Sequence, residues 1–128
     1  MGELSLRILV VDDTTVTRKC TAISLQHLGF DVDEVADGTA ALEKFQVSRY
    51  DAVLMDYTLP GMSGADCAKR MREHENEQSA LRTPIIAMTA HEVDHVRRVC
   101  VEAGMDDCIN KLCGLEALKD TLSNWIES

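Results

Sequence analysis

Residues 8–13 read ILVVDD, and this short run decides the fold. Four consecutive apolar residues suit a strand covered on both faces, as in a parallel sheet flanked by helices. The run stops abruptly on two acidic residues, Asp12 and Asp13. Three more apolar runs end the same way: AVLM at 52–55 in Asp56, IIAM at 85–88 in Thr89, and the weaker CI at 108–109, after Asn110, in Lys111. DVDEVA at 31–36 is partly polar and reads as a strand at the sheet edge.

Helical patterns separate the strands. The first predicted helix runs from about Thr14 to Leu28, with Val16, Cys20 and Ile23 at core spacing and Gly29 as its stop. The second holds Ala41, Leu42 and Phe45, and the third, after Gly64, holds Cys67, Ala68 and Met71. The polar stretch ENEQSALRT at 75–83 is expected to be a long surface loop, the one candidate flexible segment. A fourth helix over residues 91–103 has Val96, Val99, Cys100 and Ala103 as its buried stripe, and the last has Leu115, Leu118, Leu122 and Trp125 on one side. Five strands alternating with five helices predict a doubly wound α/β fold, with its ligand site at the carboxyl ends of the strands.

Composition narrows the function. A chain of 128 residues is the size of one domain able to bury a core without disulfides or metal, so residues 1–128 are expected to be a single unit with its core at about 6–126 and no effector or DNA-binding domain. Thirteen basic against 22 acidic side chains give a net charge of -9, which opposes direct nucleic-acid binding. No export signal and no apolar stretch of 18 residues is present, so a cytoplasmic address without membrane contact is expected. The five cysteines are odd in number and lack a C-x-x-C pair, which reads as reduced thiols, mostly in the core.

Asp12, Asp13, Asp56, Thr89 and Lys111 should therefore converge on one edge. Three carboxylates held together repel unless a counter-charge stabilises them. Oxygen-only ligation suits Mg²⁺, which keeps several waters and takes one or two carboxylates plus phosphate oxygens. Lys111 adds a fixed positive charge and Thr89 a hydroxyl donor, a set suited to phosphoryl transfer. Asp56, alone on the expected central strand, is the choice for nucleophile, leaving Asp12 and Asp13 to position the metal and its waters.

These residues resemble the receiver domain of two-component response regulators. The resemblance spans about residues 6–126 and rests on LVVDD (9–13), LGF (28–30), ADG (36–38), MDYTLPGMSG (55–64), PIIAMTA (84–90) and AGMDDCINK (103–111). It implies strand order 2-1-3-4-5, phosphorylation of Asp56 from a phosphohistidine, and Mg²⁺ held by Asp12, Asp13, Asp56 and the backbone carbonyl of Thr58. Thr89 and Lys111 would bind the phosphoryl oxygens. RTPIIAMTA and AGMDD look most like receivers of hybrid sensor histidine kinases or phosphorelay proteins. The partners implied are a histidine kinase or histidine-phosphotransfer domain, docking near the first helix and the active-site loops, and a downstream protein or domain on the face of helix 4, strand 5 and helix 5.

Three positions depart from the family pattern. Cys108 stands where Tyr or Phe acts as a rotamer switch, Leu112 replaces the proline after the lysine, and Ser63 replaces a common aspartate. A non-proline at 112 makes a trans Lys111–Leu112 bond the expectation. The first two departures leave phosphorylation intact in principle and bear on the downstream conformational signal, and the switch position Cys108 favours an alternative: a receiver-shaped binding module that works without phosphorylation. A D-x-D phosphatase fits less well because Tyr57 and Thr58 follow Asp56, and a flavin site would need a Ser-, Thr- or Gly-rich loop where this chain has DDTT.

HEVDH at 91–95 matches the H-E-x-x-H zinc-peptidase pattern. Arg98 and Asp94 sit beside the pair and no later histidine completes a three-ligand set, so proteolysis is set aside. In receivers the residue two places after the threonine borders the phosphorylation site. That makes His91 a candidate modulator of phosphoryl lifetime, alongside Thr58 and the switch position Cys108.

Overall fold

The expected alternation forms. The structure, a computed structural model, describes residues 6–90 and 93–126, the side chain of His95 excepted. In chain order the elements are β1 (Arg7–Val11), α1 (Thr15–His27), β2 (Asp31–Val35), α2 (Gly38–Val47), β3 (Ala52–Asp56), α3 (Gly64–Gln78), β4 (Ile85–Thr89), α4 (Val93–Glu102), β5 (Asp107–Asn110) and α5 (Gly114–Trp125). The strands pair in parallel in the order β2-β1-β3-β4-β5, as the family resemblance implies. None of these helices is long and apolar enough to cross a membrane.

Side chains of a strand alternate between faces, and the apolar runs use both. Leu9, Val11, Val53, Met55, Ile85, Ala87 and Cys108 pack under α2, α3 and α4. Ile8, Val10, Leu54, Ile86, Met88 and Ile109 pack on the opposite face against Leu25 of α1 and Leu118 and Leu122 of α5. This two-sided burial is why the runs read as continuously apolar.

α1 turns the other way from the expected one. Val16 and Ile23 are 71% and 64% exposed and Cys20 is exposed as well, while Ala22 and Leu25 are buried. The stripe 16, 20, 23 and the stripe 18, 22, 25 have the same helical spacing but lie two residues apart, about 200° around the axis. Arg18 takes the inner stripe because its guanidinium is satisfied there: NH1 donates to the Asp12 carbonyl at 3.0 Å and Nε to Glu34 at 3.3 Å.

The expected loop at 75–83 is shorter and better anchored. Residues 75–78 continue α3, and Glu75 is buried. The helix ends at Ser79 in the left-handed region, φ 51°, with the Ala80 amide closing on the Glu75 carbonyl at 2.9 Å. Arg72 of α3 then ties three segments together. It donates to Glu75 and Asp106 at 2.8 Å each, to the Thr83 carbonyl at 2.8 Å and to the Gly104 carbonyl at 2.9 Å. Asp106 also accepts the Ile85 amide at 2.9 Å and Arg82 at 2.7 Å. The network binds the start of β4 to the start of β5.

Smaller corrections follow from element ends. Val99 is 42% exposed on the flank of α4, whose buried stripe is Val96, Cys100 and, just past its end, Ala103. On α5 only Leu118 and Leu122 are buried; Leu115 and Trp125 are partly exposed, and the Trp125 indole donates to Asp107 at 2.9 Å. Cys67, Cys100 and Cys108 are buried, Cys113 is half-buried and Cys20 is exposed. Burial pushes the Cys67 and Cys108 thiols up to about 12, away from reactive thiolate.

Replacing Arg72 with Met should cost about 3–5 kcal/mol, because buried Glu75 would lose its cation and Asp106 would keep only the exposed Arg82. Val16→Ser should change stability by no more than about 0.5 kcal/mol, as befits an exposed position. Urea unfolding followed by circular dichroism measures both.

Candidate functional site

Parallel register delivers the polar residues to one edge. Val11 pairs with Met55 and Asp56 with Met88, so Asp12 lies beside Asp56, with Thr89 one rung further along. Thr89 pairs with Asn110, which places Lys111 just beyond. The ladder runs past the strand ends: the Asp12 amide donates to Val35, the Tyr57 amide to Met88 and the Lys111 amide to Thr89, at 3.1, 2.8 and 2.9 Å. The polar residues are therefore fixed by backbone bonds.

All five expected side chains belong to this edge. Asp12, Asp13 and Asp56 each offer one carboxylate oxygen within 4.8 Å of the others; Asp12 and Asp56 are buried, while Asp13 is exposed. Lys111 Nζ reaches back to Asp56 Oδ2 at 2.8 Å and to Asp12 Oδ1 at 3.4 Å. The Thr58 amide donates to Asp56 Oδ1 at 3.1 Å, so each oxygen of Asp56 has a donor. Thr89, at the end of β4, is only 1% exposed. His91 lies outside the described residues.

The electrostatics follow from the burial. Burial pushes the Asp56 carboxyl above its usual range and neighbouring Asp12 adds to this, against the opposing pull of Lys111 and the Thr58 amide. Burial alone would lower Lys111, but the carboxylates of Asp56 and Asp12 outweigh it and hold the ammonium more firmly protonated than usual. Three ionised carboxylates against one ammonium leave a charge that one divalent cation would balance. The donors are all oxygen and one of them faces solvent, a set that fits Mg²⁺ with retained waters and not a soft metal.

The loop after β3 packs tightly on this cleft. A Cβ at Gly64 would fall on the Asp56 carbonyl oxygen, and the Gly64 amide donates to Tyr57 O at 3.3 Å. Past Lys111 the chain turns through Leu112, whose amide donates to Asn110 Oδ1 at 2.8 Å. No cis peptide occurs among the described residues, as expected without proline at 112. Cys108 is buried in the same core cluster as Cys100 of α4. Sequence reasoning missed Thr17, whose hydroxyl donates to Asp12 Oδ2 at 2.6 Å. Its signal, a threonine five residues after the first acidic position, is weak.

A doubly wound sheet with an acidic, lysine-capped cleft at its switch point defines a domain built to handle phosphoryl groups. Residues 8–123 match the response regulator receiver domain, and the chain belongs to that family. It is 35% identical over 122 residues to the sensor histidine kinase RcsC of Salmonella typhi, covering 95% of this chain and 12% of the kinase. It is 33% identical over 119 residues to the sensor histidine kinase GacS of Pseudomonas protegens, covering 93% of this chain and 13% of the kinase. The chain thus spans about an eighth of the length of these relatives. Among solved structures, the receiver domain of the sensor histidine kinase PA1611 from Pseudomonas aeruginosa, with magnesium coordinated in its active-site cleft, superposes with a TM-score of 0.86. That match is 37% identical and covers 98% of this chain and 100% of the other. The chain is a receiver domain of two-component signalling.

Mg²⁺ should raise the melting temperature of the purified domain, since a ligand bound only by the folded state stabilises it. Asp13→Asn should raise the metal-free melting temperature by easing carboxylate repulsion while reducing the Mg²⁺-induced rise. Differential scanning calorimetry with and without Mg²⁺ reads both.

Proposed function

We propose that Asp56 is the phosphoacceptor, taking a phosphoryl group from a phosphohistidine of a histidine kinase or histidine-phosphotransfer domain. The observation that carries this is the buried Asp56 carboxylate, held at one oxygen by Lys111 and at the other by the Thr58 amide. Those donors fix the plane of the nucleophile for in-line attack. The new bond joins an Asp56 oxygen to phosphorus, and the donor imidazole leaves with the electron pair of the broken P–N bond. Lys111 follows the developing charge from carboxylate to phosphoryl oxygen, and the Thr89 hydroxyl donates to another. Asp12, Asp13, Asp56 and the Thr58 carbonyl would hold Mg²⁺, which when bound neutralises phosphoryl charge. The same site would return the phosphoryl group to water, with Thr58 and His91 as the candidate residues for setting the lifetime.

The outward stripe of α1 supports the partner class. Val16, Cys20 and Ile23 form an exposed apolar row on the helix that follows the acidic pair, suited to an apolar helix face of a phosphohistidine donor. Output would pass through the face of α4, β5 and α5. A cytoplasmic address accords with five free thiols. The alternative, a binding module indifferent to phosphorylation, has one observation in its favour: Cys108 in the aromatic switch position, buried and unable to swing a ring.

With Mg²⁺ and a small phosphodonor such as acetyl phosphate, intact mass should rise by one phosphoryl group, and Asp56→Asn should abolish the rise. No shift in the unsubstituted protein would favour the binding-module reading. Ile23→Asp should slow transfer from a phosphohistidine protein roughly tenfold, as for loss of a well-buried interface anchor, while leaving acetyl phosphate labelling unchanged. Paired labelling time courses separate the docking contribution from the chemistry.

A further inference from the structure

Asp12 is completely buried, and Lys111 is not its only restraint. Thr17, in the first turn of α1, donates its hydroxyl to Asp12 Oδ2 at 2.6 Å, while the Thr14 amide donates to Oδ1 at 2.9 Å. Thr17 Oγ1 also lies 3.2 Å from the Thr14 carbonyl. A hydroxyl carries a single proton, and the shorter contact to a charged oxygen takes it. Arg18 fixes the same residue from the main-chain side through the Asp12 carbonyl.

We propose that Thr17 is a positioning residue of the phosphoacceptor site, holding the Asp12 carboxylate in the orientation in which it serves a divalent cation together with Asp13 and Asp56. The inference rests on the phosphoacceptor reading. With a donor on Oδ1 alone, the carboxylate remains free to turn about its terminal torsion, which is broad for aspartate. Repulsion from Asp13 and Asp56 drives that turn. A second donor on the other oxygen removes the freedom. It does so without contributing charge. Thr14, the residue before α1, makes no side-chain cap bond; its amide, like the Thr17 hydroxyl, serves Asp12.

The test is calorimetric titration of the metal-free domain with MgCl₂. Thr17→Val, which keeps shape and removes the donor, should weaken Mg²⁺ binding roughly tenfold or more, the usual effect of losing a group that orients a ligand. Thr17→Ser should restore affinity close to that of the unsubstituted protein. Raising Mg²⁺ should recover the acetyl phosphate labelling rate of Thr17→Val. A merely structural threonine would lower the melting temperature of Thr17→Val and leave its Mg²⁺ affinity unchanged, and that result overturns the proposal. Should the valine variant not fold, Thr17→Ala in the same titration decides by the same criterion. Failure of the unsubstituted domain to label at Asp56 overturns the functional reading itself. Unaltered Mg²⁺ affinity in the valine variant, beside normal labelling of the unsubstituted domain, overturns only the role of Thr17.

Discussion

Repulsion among Asp12, Asp13 and Asp56 is the constraint around which the molecule is arranged. Two of the three carboxylates are buried, where like charges interact far more strongly than in water. The sheet brings them together through the β1–β3 register, and their counter-charge comes from the far end of the chain. Lys111 lies 99 residues from Asp12 and 55 from Asp56 in sequence. That lysine reaches them only if the four-residue β5 is correctly paired with β4. Secure anchoring of β5 is thus a requirement of the site as much as of the fold.

The anchoring is visible at the opposite end of the strand. Asp106, immediately before β5, takes hydrogen bonds from Arg72, Arg82 and the Ile85 amide, and so locks the strand to α3 and to the start of β4. Glu75 falls in the stretch read from the sequence as a surface loop, yet it and Arg72 are both largely buried. The two charge clusters play different parts. The Arg72 network is closed, with each carboxylate matched by a cation or amide donor. The acidic cleft carries more negative than positive charge and opens to solvent at Asp13, which leaves it ready to take a cation and a phosphoryl group.

Four of the strands and the convergence of Asp12, Asp56, Thr89 and Lys111 were legible because burial on both faces writes an unbroken apolar run whose last residue marks the sheet edge, whereas the strand order came from the family resemblance. Helix orientation was less legible. On α1, two stripes of equal spacing compete, and hydrophobicity alone selects Val16, Cys20 and Ile23. What decides is that Arg18 can bury itself by bonding the Asp12 carbonyl and Glu34, a long-range arrangement that one-dimensional periodicity does not contain. The end of α3 was hidden for a related reason. Ser79 takes the left-handed conformation usually announced by glycine, so the helix runs past the point where polarity suggests a loop. Thr17 escaped notice because a single hydroxyl five residues from an aspartate has no distinctive pattern until the helix brings it to 2.6 Å.

The replacement of an aromatic by Cys108 changes what the proposed signal can use. A ring at this place would have a rotamer to exchange, whereas the Cys108 side chain is small and buried in the same cluster as Cys100 of α4. Thr89 is likewise already buried, so its proposed part in binding a phosphoryl group calls for rotation within the cleft and not for a long inward travel. That leaves the segment after Lys111. There Leu112 is 88% exposed, and the chain is held by the Leu112 and Cys113 amides donating to Asn110. In the proposed mechanism, a shift of the Lys111 bond from Asp56 to a phosphoryl oxygen would reach this turn first and then the start of α5. In this chain, therefore, the proposed output depends more on the β5–α5 turn than on a side-chain flip at the centre of the face.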